Sequence, residues 1–199
     1  MGLNRIVAAR PLLAALVFEA LLVPLALVLA ALLGVNPLAR LAPAAETVLL
    51  AILATVPLLG GLALLAVAAG DHFRAIEALV RPVVESLFRG AGHGAPLAVA
   101  ALAGLGEELL FRGVLQAWLV GLGGPWQGVS LAAVVFGLVH YLSWAYFVLA
   151  TVMGLYLGAL YLVTGDLLLA CLVHALYDWI ALEYLLWRWR REEQSAPAE

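Results

Sequence analysis

The sequence is poor in charge, has no lysine and contains a single cysteine. Only 12% of its 199 residues are charged, about half the share that is typical of a soluble domain. All ten basic residues are arginines, and the net charge is −3. Without a basic tract, nucleic acid is not expected as a partner. The lone Cys171 excludes an internal disulfide and lies in an apolar run, where it is expected to pack as a small hydrophobic side chain.

Apolar residues dominate what is present. Hydrophobic residues make up 66% of the chain, and the mean hydropathy is +1.09. A soluble domain of this size cannot bury that much apolar surface, because a large part of any small fold faces water. The chain is therefore predicted to lie in a lipid bilayer, and the bilayer is the main partner expected for it.

Several apolar windows are long enough to cross a bilayer as helices, which takes roughly 20 residues each. They cover residues 12–33, 47–69, 96–120, 129–163 and 166–187. The fourth window has room for two helices if the chain turns near residues 141–144. The pattern predicts an all-α, polytopic membrane bundle with about six transmembrane helices.

The arginines are placed unevenly along this bundle and indicate its orientation. Most precede the first window, separate the second from the third, or follow the last, whereas the alternate loops hold only Arg40. Cytoplasmic flanks gather positive charge, so both termini are predicted to be cytoplasmic. The use of arginine alone, with abundant alanine, is typical of a GC-rich bacterial genome. The expected location is therefore a bacterial inner membrane.

The segment 71–89 differs from the apolar windows because its apolar residues recur at helical spacing. Phe73, Ile76 and Val80 represent the apolar side, while Arg74 and Glu77 fall mainly on the other. This pattern predicts an amphipathic helix on the cytoplasmic surface. The chain then divides into two N-terminal transmembrane helices with this connector (1–94), a core of about four helices (95–190) and a polar tail (191–199).

Ionisable side chains inside the apolar windows are the main functional signal. Such groups are costly in a bilayer and by default indicate function. The windows contain Glu107, Glu108, Arg112, His140, His174 and Asp178, together with Glu19 in the first window. Glu19 stands apart in the sequence and is interpreted as a packing or partly solvated residue.

The spacing of these residues suggests how they are arranged. Glu108 and Arg112 are four residues apart, so they share a helix face and can pair. Glu107 is rotated about 100° from Glu108 and can face a different partner. Asp178 follows His174 by four residues and can orient the imidazole through a hydrogen bond. At about 1.5 Å per residue, the Glu107, His140 and His174 side chains fall at similar depths and can meet in one polar cavity.

Such a cavity would suit peptide hydrolysis. A carboxylate beside an imidazole can take a proton from water, and a second imidazole can stabilise the oxyanion that forms. The alternative is a catalytic zinc ion held by Glu107, His140 and His174. No HExxH pair is present to support it. No cofactor is therefore the leading expectation, and zinc remains the alternative.

Three motifs in this region resemble those of a known family. Glu107-Glu108-Leu-Leu-Phe-Arg112 matches an EExxxR motif, Phe136-Gly-Leu-Val-His140 an FxxxH motif, and His174-Ala-Leu-Tyr-Asp178 an HxxxN or HxxxD motif. Their order and separation over residues 96–179 resemble the CPBP family, which contains the type II CAAX prenyl endopeptidases and bacteriocin-processing enzymes.

The resemblance implies an intramembrane protease of the glutamic type and a role for each matching residue. Glu107 would be the general base, assisted by His140. His174 and Asp178 would form the oxyanion site. The motif residues Glu108, Arg112 and Phe136 would support the architecture. Many family members have Asn at the last motif position, so Asp178 is either protonated, which lets it donate a hydrogen bond, or serves only to orient His174.

The leading hypothesis is an endopeptidase that cleaves a membrane-embedded or lipid-anchored protein or peptide. C-terminal sorting signals and bacteriocin precursors are both candidate substrates. One alternative is a non-catalytic immunity or scaffold protein that keeps the helices without the chemistry. Another is a proton-coupled transporter that uses the same carboxylates, which the small size and the absence of visible repeats disfavour.

Overall fold

Helices account for every regular element in the described part of the chain. The computed structural model describes residues 3–41, 43–92 and 94–195, and of residues 3–9 it describes the backbone alone. The elements are α1 (Leu3–Leu33), a 3-10 turn (Pro37–Arg40), α2 (Ala45–Ala68), α3 (Gly70–Phe88), α4 (Ala95–Glu108), a π-helical segment (Leu109–Gln116), α5 (Ala117–Gly123), α6 (Pro125–Val139), α7 (Trp144–Thr164) and α8 (Leu167–Ser195).

Four of the described helices are long and apolar enough to cross a membrane. They are Arg10–Leu33 within α1, together with α2, α7 and α8. The α4 helix, the π-helical segment and α5 follow one another without a break and form one longer helix, whereas α6 is a shorter apolar helix. The prediction of an all-α membrane bundle is confirmed, with the number of crossings approximate, and the chain is an integral membrane protein.

The turn predicted inside the window 129–163 is confirmed. The α6 helix begins at Pro125, ahead of the predicted window, and ends at Val139, so that His140 occupies its C-cap. The side chain of Ser143 then accepts a hydrogen bond from the backbone N–H of Tyr146 and caps the start of α7. His140 therefore lies at the end of a helix rather than along its length.

The amphipathic helix predicted for residues 71–89 is present as α3. It buries Phe73 and Ile76, as the pattern predicts, but it also buries Glu77. The end of α8 passes beside this part of α3, and Glu77 accepts hydrogen bonds there from Arg188 and Trp189. Glu77 lies on the helix face that was predicted to be polar, and it is nevertheless buried. Its burial is tolerated because α8 supplies hydrogen-bond donors to its carboxylate.

Glycines set how closely the helices approach around the centre of the bundle. A Cβ added at Gly104 of α4 would lie 2.7 Å from the Cys171 carbonyl oxygen of α8, so these two helices pack almost backbone to backbone. Gly154 of α7 packs against Ala133 of α6, and Gly158 packs against the Gln116 side chain. Their spacing matches the small-xxx-small pattern that allows helices to approach closely in membranes.

Candidate active site

The site is built around a change of helix geometry. The α4 helix ends at Glu108, directly after Glu107, and continues as the π-helical segment. Single stretches of π-helix inside α-helices are uncommon and occur often at functional sites. The segment carries Arg112 and Gln116, which donate hydrogen bonds to the backbone carbonyls of Gly154 (3.2 Å) and Gly158 (3.0 Å) on α7. The longer helix is thereby fixed to α7 beside the two glutamates.

An ion pair lies at the closed end of the site. The Nη1 atom of Arg112 donates to Glu108 Oε1 at 2.8 Å, and both side chains are almost completely buried. The guanidinium also lies over the Phe136 ring, 4.4 Å from its centroid, which adds a cation–π contact. The i, i+4 pair that the sequence predicts is present, and Phe136 contacts it from α6.

His174 is oriented by Glu108 rather than by Asp178. Its Nδ1 atom lies 2.8 Å from Glu108 Oε1, the oxygen that also accepts from Arg112. Because Arg112 is permanently charged, Glu108 is its carboxylate partner and an acceptor, so Nδ1 must donate. Nε2 is then directed toward Asp178 Oδ2, at 3.3 Å. The predicted contact between His174 and Asp178 exists, but it involves the nitrogen that faces the open part of the site.

His140 is oriented by its own helix. Its Nδ1 atom lies 2.8 Å from the carbonyl oxygen of Phe136, which can only accept, so Nδ1 donates. The Phe136 ring stacks against the imidazole at a tilt, with ring centroids 4.4 Å apart. The four-residue spacing of the FxxxH pattern therefore lets Phe136 orient the imidazole in two ways, through its backbone carbonyl and through its ring. Nε2 is left to face Glu107.

The two imidazoles converge on one oxygen of Glu107. Glu107 Oε2 lies 3.5 Å from His140 Nε2 and 3.9 Å from His174 Nε2. A water molecule makes hydrogen bonds of about 2.8 Å, so a water can bridge Glu107 Oε2 to either imidazole nitrogen. The structure brings together the three side chains that the sequence analysis places in one cavity, with Asp178 beside them.

Exposure changes steadily across this group and defines a closed and an open side. The Glu108, Arg112 and His174 side chains are at most 4% exposed, and that of Glu107 is 10% exposed. On the other side, His140 is 28% and Asp178 is 31% exposed. The group is therefore open past His140 and Asp178, while the Glu108–Arg112 pair lies behind it.

Two carboxylate oxygens at the centre have no partner. Glu107 Oε2 and Glu108 Oε2 are buried and make no hydrogen bond with the described residues. Buried polar atoms are nearly always hydrogen-bonded, so an unpaired one needs a reason. An oxygen that has to bind water or a substrate group supplies such a reason for Glu107. No group of three or more His, Cys, Asp or Glu side chains among the described residues is arranged to hold a metal ion.

Glu19 of α1 belongs to this neighbourhood, which the sequence analysis missed. The backbone at Glu19 lies against Gly106, where an added Cβ would approach the Glu19 carbonyl oxygen to 2.8 Å. The charges of Glu107, His174, Asp178 and His140 all act on its carboxyl group. Its isolation within an apolar window was the available signal, because an intramembrane carboxylate by default indicates function.

Comparison with known proteins identifies one family. Residues 91–180 match the family described as Rce1-like, type II CAAX prenyl endopeptidase Rce1-like. Searches of curated proteins and of solved structures returned no significant match. The matched segment contains all three motifs and the side chains that converge on Glu107, and it confirms the resemblance stated from the sequence.

Proposed function

From the match of residues 91–180 to the Rce1-like family of type II CAAX prenyl endopeptidases, we propose that the chain is an intramembrane endopeptidase that hydrolyses a membrane-held protein or peptide with water activated by Glu107. The observation that carries the proposal is the convergence of His140 Nε2 and His174 Nε2 on Glu107 Oε2, at 3.5 and 3.9 Å. A carboxylate with two imidazoles at these distances provides a base and an oxyanion stabiliser.

In the first step, water bound by Glu107 and His140 attacks the carbonyl carbon of the scissile peptide bond. Its proton passes to the Glu107 carboxylate while the new C–O bond forms and the carbonyl oxygen becomes an oxyanion. His140, held through Nδ1 by the Phe136 carbonyl oxygen, keeps Nε2 directed at the reacting water. The ring therefore orients the water without having to turn.

In the second step, the tetrahedral intermediate collapses and the C–N bond breaks. The proton held by Glu107 moves to the leaving nitrogen, which departs as an amine. His174 can donate to the oxyanion through Nε2 only in its doubly protonated form. The Glu108 and Asp178 carboxylates lie on either side of the ring and pair with that charge.

The substrate is proposed to be embedded in the membrane or anchored to it by a lipid, because the site lies within a bundle of apolar helices. Processing of C-terminal sorting signals and maturation of bacteriocins are the two proposed roles. The proposed setting is a bacterial inner membrane with both termini cytoplasmic, as the arginine distribution indicates. Zinc held by Glu107, His140 and His174 remains the alternative from the sequence, although no group of three such side chains among the described residues is arranged to hold a metal ion.

The test compares cells that carry the wild-type gene, Glu107→Gln or no gene. The termini of membrane proteins are profiled by mass spectrometry, and the purified protein is then assayed on the substrate identified. We expect new termini only with the wild-type chain, since Gln keeps the shape of Glu107 but cannot accept the proton. If cells with a folded Glu107→Gln variant show the same new termini as cells with the wild-type chain, the immunity or scaffold function would be favoured instead.

A further inference from the structure

One buried carboxylate near the site takes no part in the proposed hydrolysis. Glu19 Oε2 is buried and has no hydrogen-bond partner among the described residues. The residue as a whole is partly exposed, as His140 and Asp178 are. In exposure Glu19 is thus similar to His140 and Asp178 and differs from the fully buried Glu108 and Arg112.

An ionised Glu19 carboxylate would have no counter-charge in this neighbourhood. Glu108 and Arg112 neutralise each other, which leaves the Glu107 and Asp178 carboxylates against the His140 and His174 imidazoles. With both rings protonated these two pairs balance, so that a charge on Glu19 has to be met by a group from outside the site. A buried excess charge is costly unless a counter-charge approaches it.

The unpaired atoms indicate where a counter-charge would be bound. Glu107 has a side chain that is 90% buried and an unpartnered oxygen directed into the site, but the proposed chemistry assigns that oxygen to water. The Glu19 oxygen has no such assignment. It belongs to α1, a helix outside the matched segment, and is held close to Glu107 by the contact between the Glu19 backbone and Gly106.

We propose that Glu19 is a specificity-determining residue that binds a cationic side chain, Arg or Lys, next to the scissile bond of a membrane-held substrate. This inference rests on the proposed function and narrows the substrate to apolar segments that carry a basic residue. The long side chains of Arg and Lys keep their apolar stems along the helix while the charged group reaches Glu19. The cationic side chain supplies the counter-charge of Glu19 and a hydrogen-bond donor for its unpartnered Oε2 atom.

The test measures binding separately from cleavage. The full chain in bicelles is titrated with two fluorescent 20-residue Leu/Ala peptides that differ only in a central Arg or Gln. We expect the Arg peptide to bind wild type about tenfold more tightly, a preference that a buried charge pair readily supplies. Glu19→Gln should abolish the preference, Glu19→Asp should retain part of it, and Glu46→Gln, at an exposed carboxylate in the first turn of α2, should leave it unchanged.

Thermal unfolding distinguishes this role from a structural one. Because Glu19 Oε2 has no partner to lose, Glu19→Gln should not lower the melting temperature. Equal binding of both peptides, absence of binding by either, or a preference that survives Glu19→Gln would overturn the inference. Mass spectrometry of the same samples reports cleavage. Hydrolysis without a preference for the Arg peptide would contradict the proposed role of Glu19 but not the protease function. A preference for the Arg peptide without hydrolysis would contradict the protease function but not the binding role of Glu19.

Discussion

Two clusters of charged side chains among the described residues differ in whether all of their buried polar atoms have hydrogen-bond partners. The first, the α3–α8 cluster, consists of Glu77, Arg81, Glu85, Arg188 and Glu192. Arg81 binds Glu85 at 2.6 Å and Glu192 at 3.0 Å. Arg188 binds Glu77, a residue that Trp189 also contacts. No atom of this cluster is both buried and unpaired. Its ion pairs and hydrogen bonds are therefore sufficiently explained by a structural role, which is to hold α3 against the end of α8.

The second cluster surrounds Glu107 and is incomplete. Glu19, Glu107 and Glu108 each have a buried oxygen without a partner among the described residues. Incomplete networks are expensive in a low-dielectric interior and are retained where a ligand completes them. From this difference we infer that an unsatisfied hydrogen-bonding atom, rather than burial alone, is the better indication of function for a charged group in this bundle.

The largest expected effect comes from the residues that share the reacting water. We expect Glu107→Gln to lower kcat/KM by about 10³-fold and His140→Gln by about 10²-fold, magnitudes typical of general base catalysis. Because both act on one water, the double variant should be little slower than Glu107→Gln alone. Initial cleavage rates of the purified variants measure this. The control is Glu85→Gln, in the α3–α8 cluster, which should cleave like wild type. Losses that multiply in the double variant would place the two side chains in separate roles.

The next effect is on stability and contrasts the two clusters directly. Arg112→Met removes the permanent counter-charge of the buried Glu108 carboxylate and leaves it paired with His174 Nδ1 alone, which should cost about 3–5 kcal/mol. Arg81→Met removes a partly exposed partner of Glu85 and Glu192 and should cost no more than about 1 kcal/mol. Unfolding of both variants in detergent micelles gives the comparison. Equal losses would show that the α3–α8 cluster is as strongly coupled to the fold as the buried pair.

A smaller effect is expected at Asp178, whose Oδ2 atom lies 3.3 Å from His174 Nε2. Asp178→Asn should keep cleavage within about tenfold of wild type, since Asn can donate to an oxyanion. Asp178→Leu should lose about 10²-fold, because Leu can neither pair with the His174 charge nor donate to an oxyanion. If Asn is as harmful as Leu, the carboxylate serves as a charge partner of His174 and takes no part in oxyanion binding.

Sequence reasoning reached the helical bundle and the set of converging residues because both depend on local signals. Apolar runs long enough to span a bilayer predict helices, and an ionisable group within such a run is conspicuous. The i, i+4 spacing of Glu108 and Arg112 was sufficient to predict their pair. The turn after His140 followed from a window too long for one helix.

The remaining features depend on contacts between distant parts of the chain. Nothing local indicates that Glu108 reaches His174, that Glu77 meets Arg188, or that α4 passes into a π-helix. The closeness of Glu19 to Glu107 was not predicted for the same reason, since it comes from the packing of α1 against Gly106. Periodicity describes one helix at a time, and the tertiary arrangement decides which faces meet.

The smallest expected effect concerns metal. Cleavage by purified protein should be unchanged after treatment with a strong zinc chelator such as 1,10-phenanthroline, because water activation is assigned to Glu107 and His140. A loss of activity that added zinc restores would favour the zinc-dependent alternative. His72→Ala, at an exposed histidine of α3, is the matched control for chelator sensitivity.

The shared water is observed most directly in an experimental structure at a resolution that shows ordered solvent. The account predicts one water molecule within about 3.2 Å of both Glu107 Oε2 and His140 Nε2, with His174 Nε2 facing the same space. Imidazoles turned away from Glu107, with no common water between these groups, would contradict it.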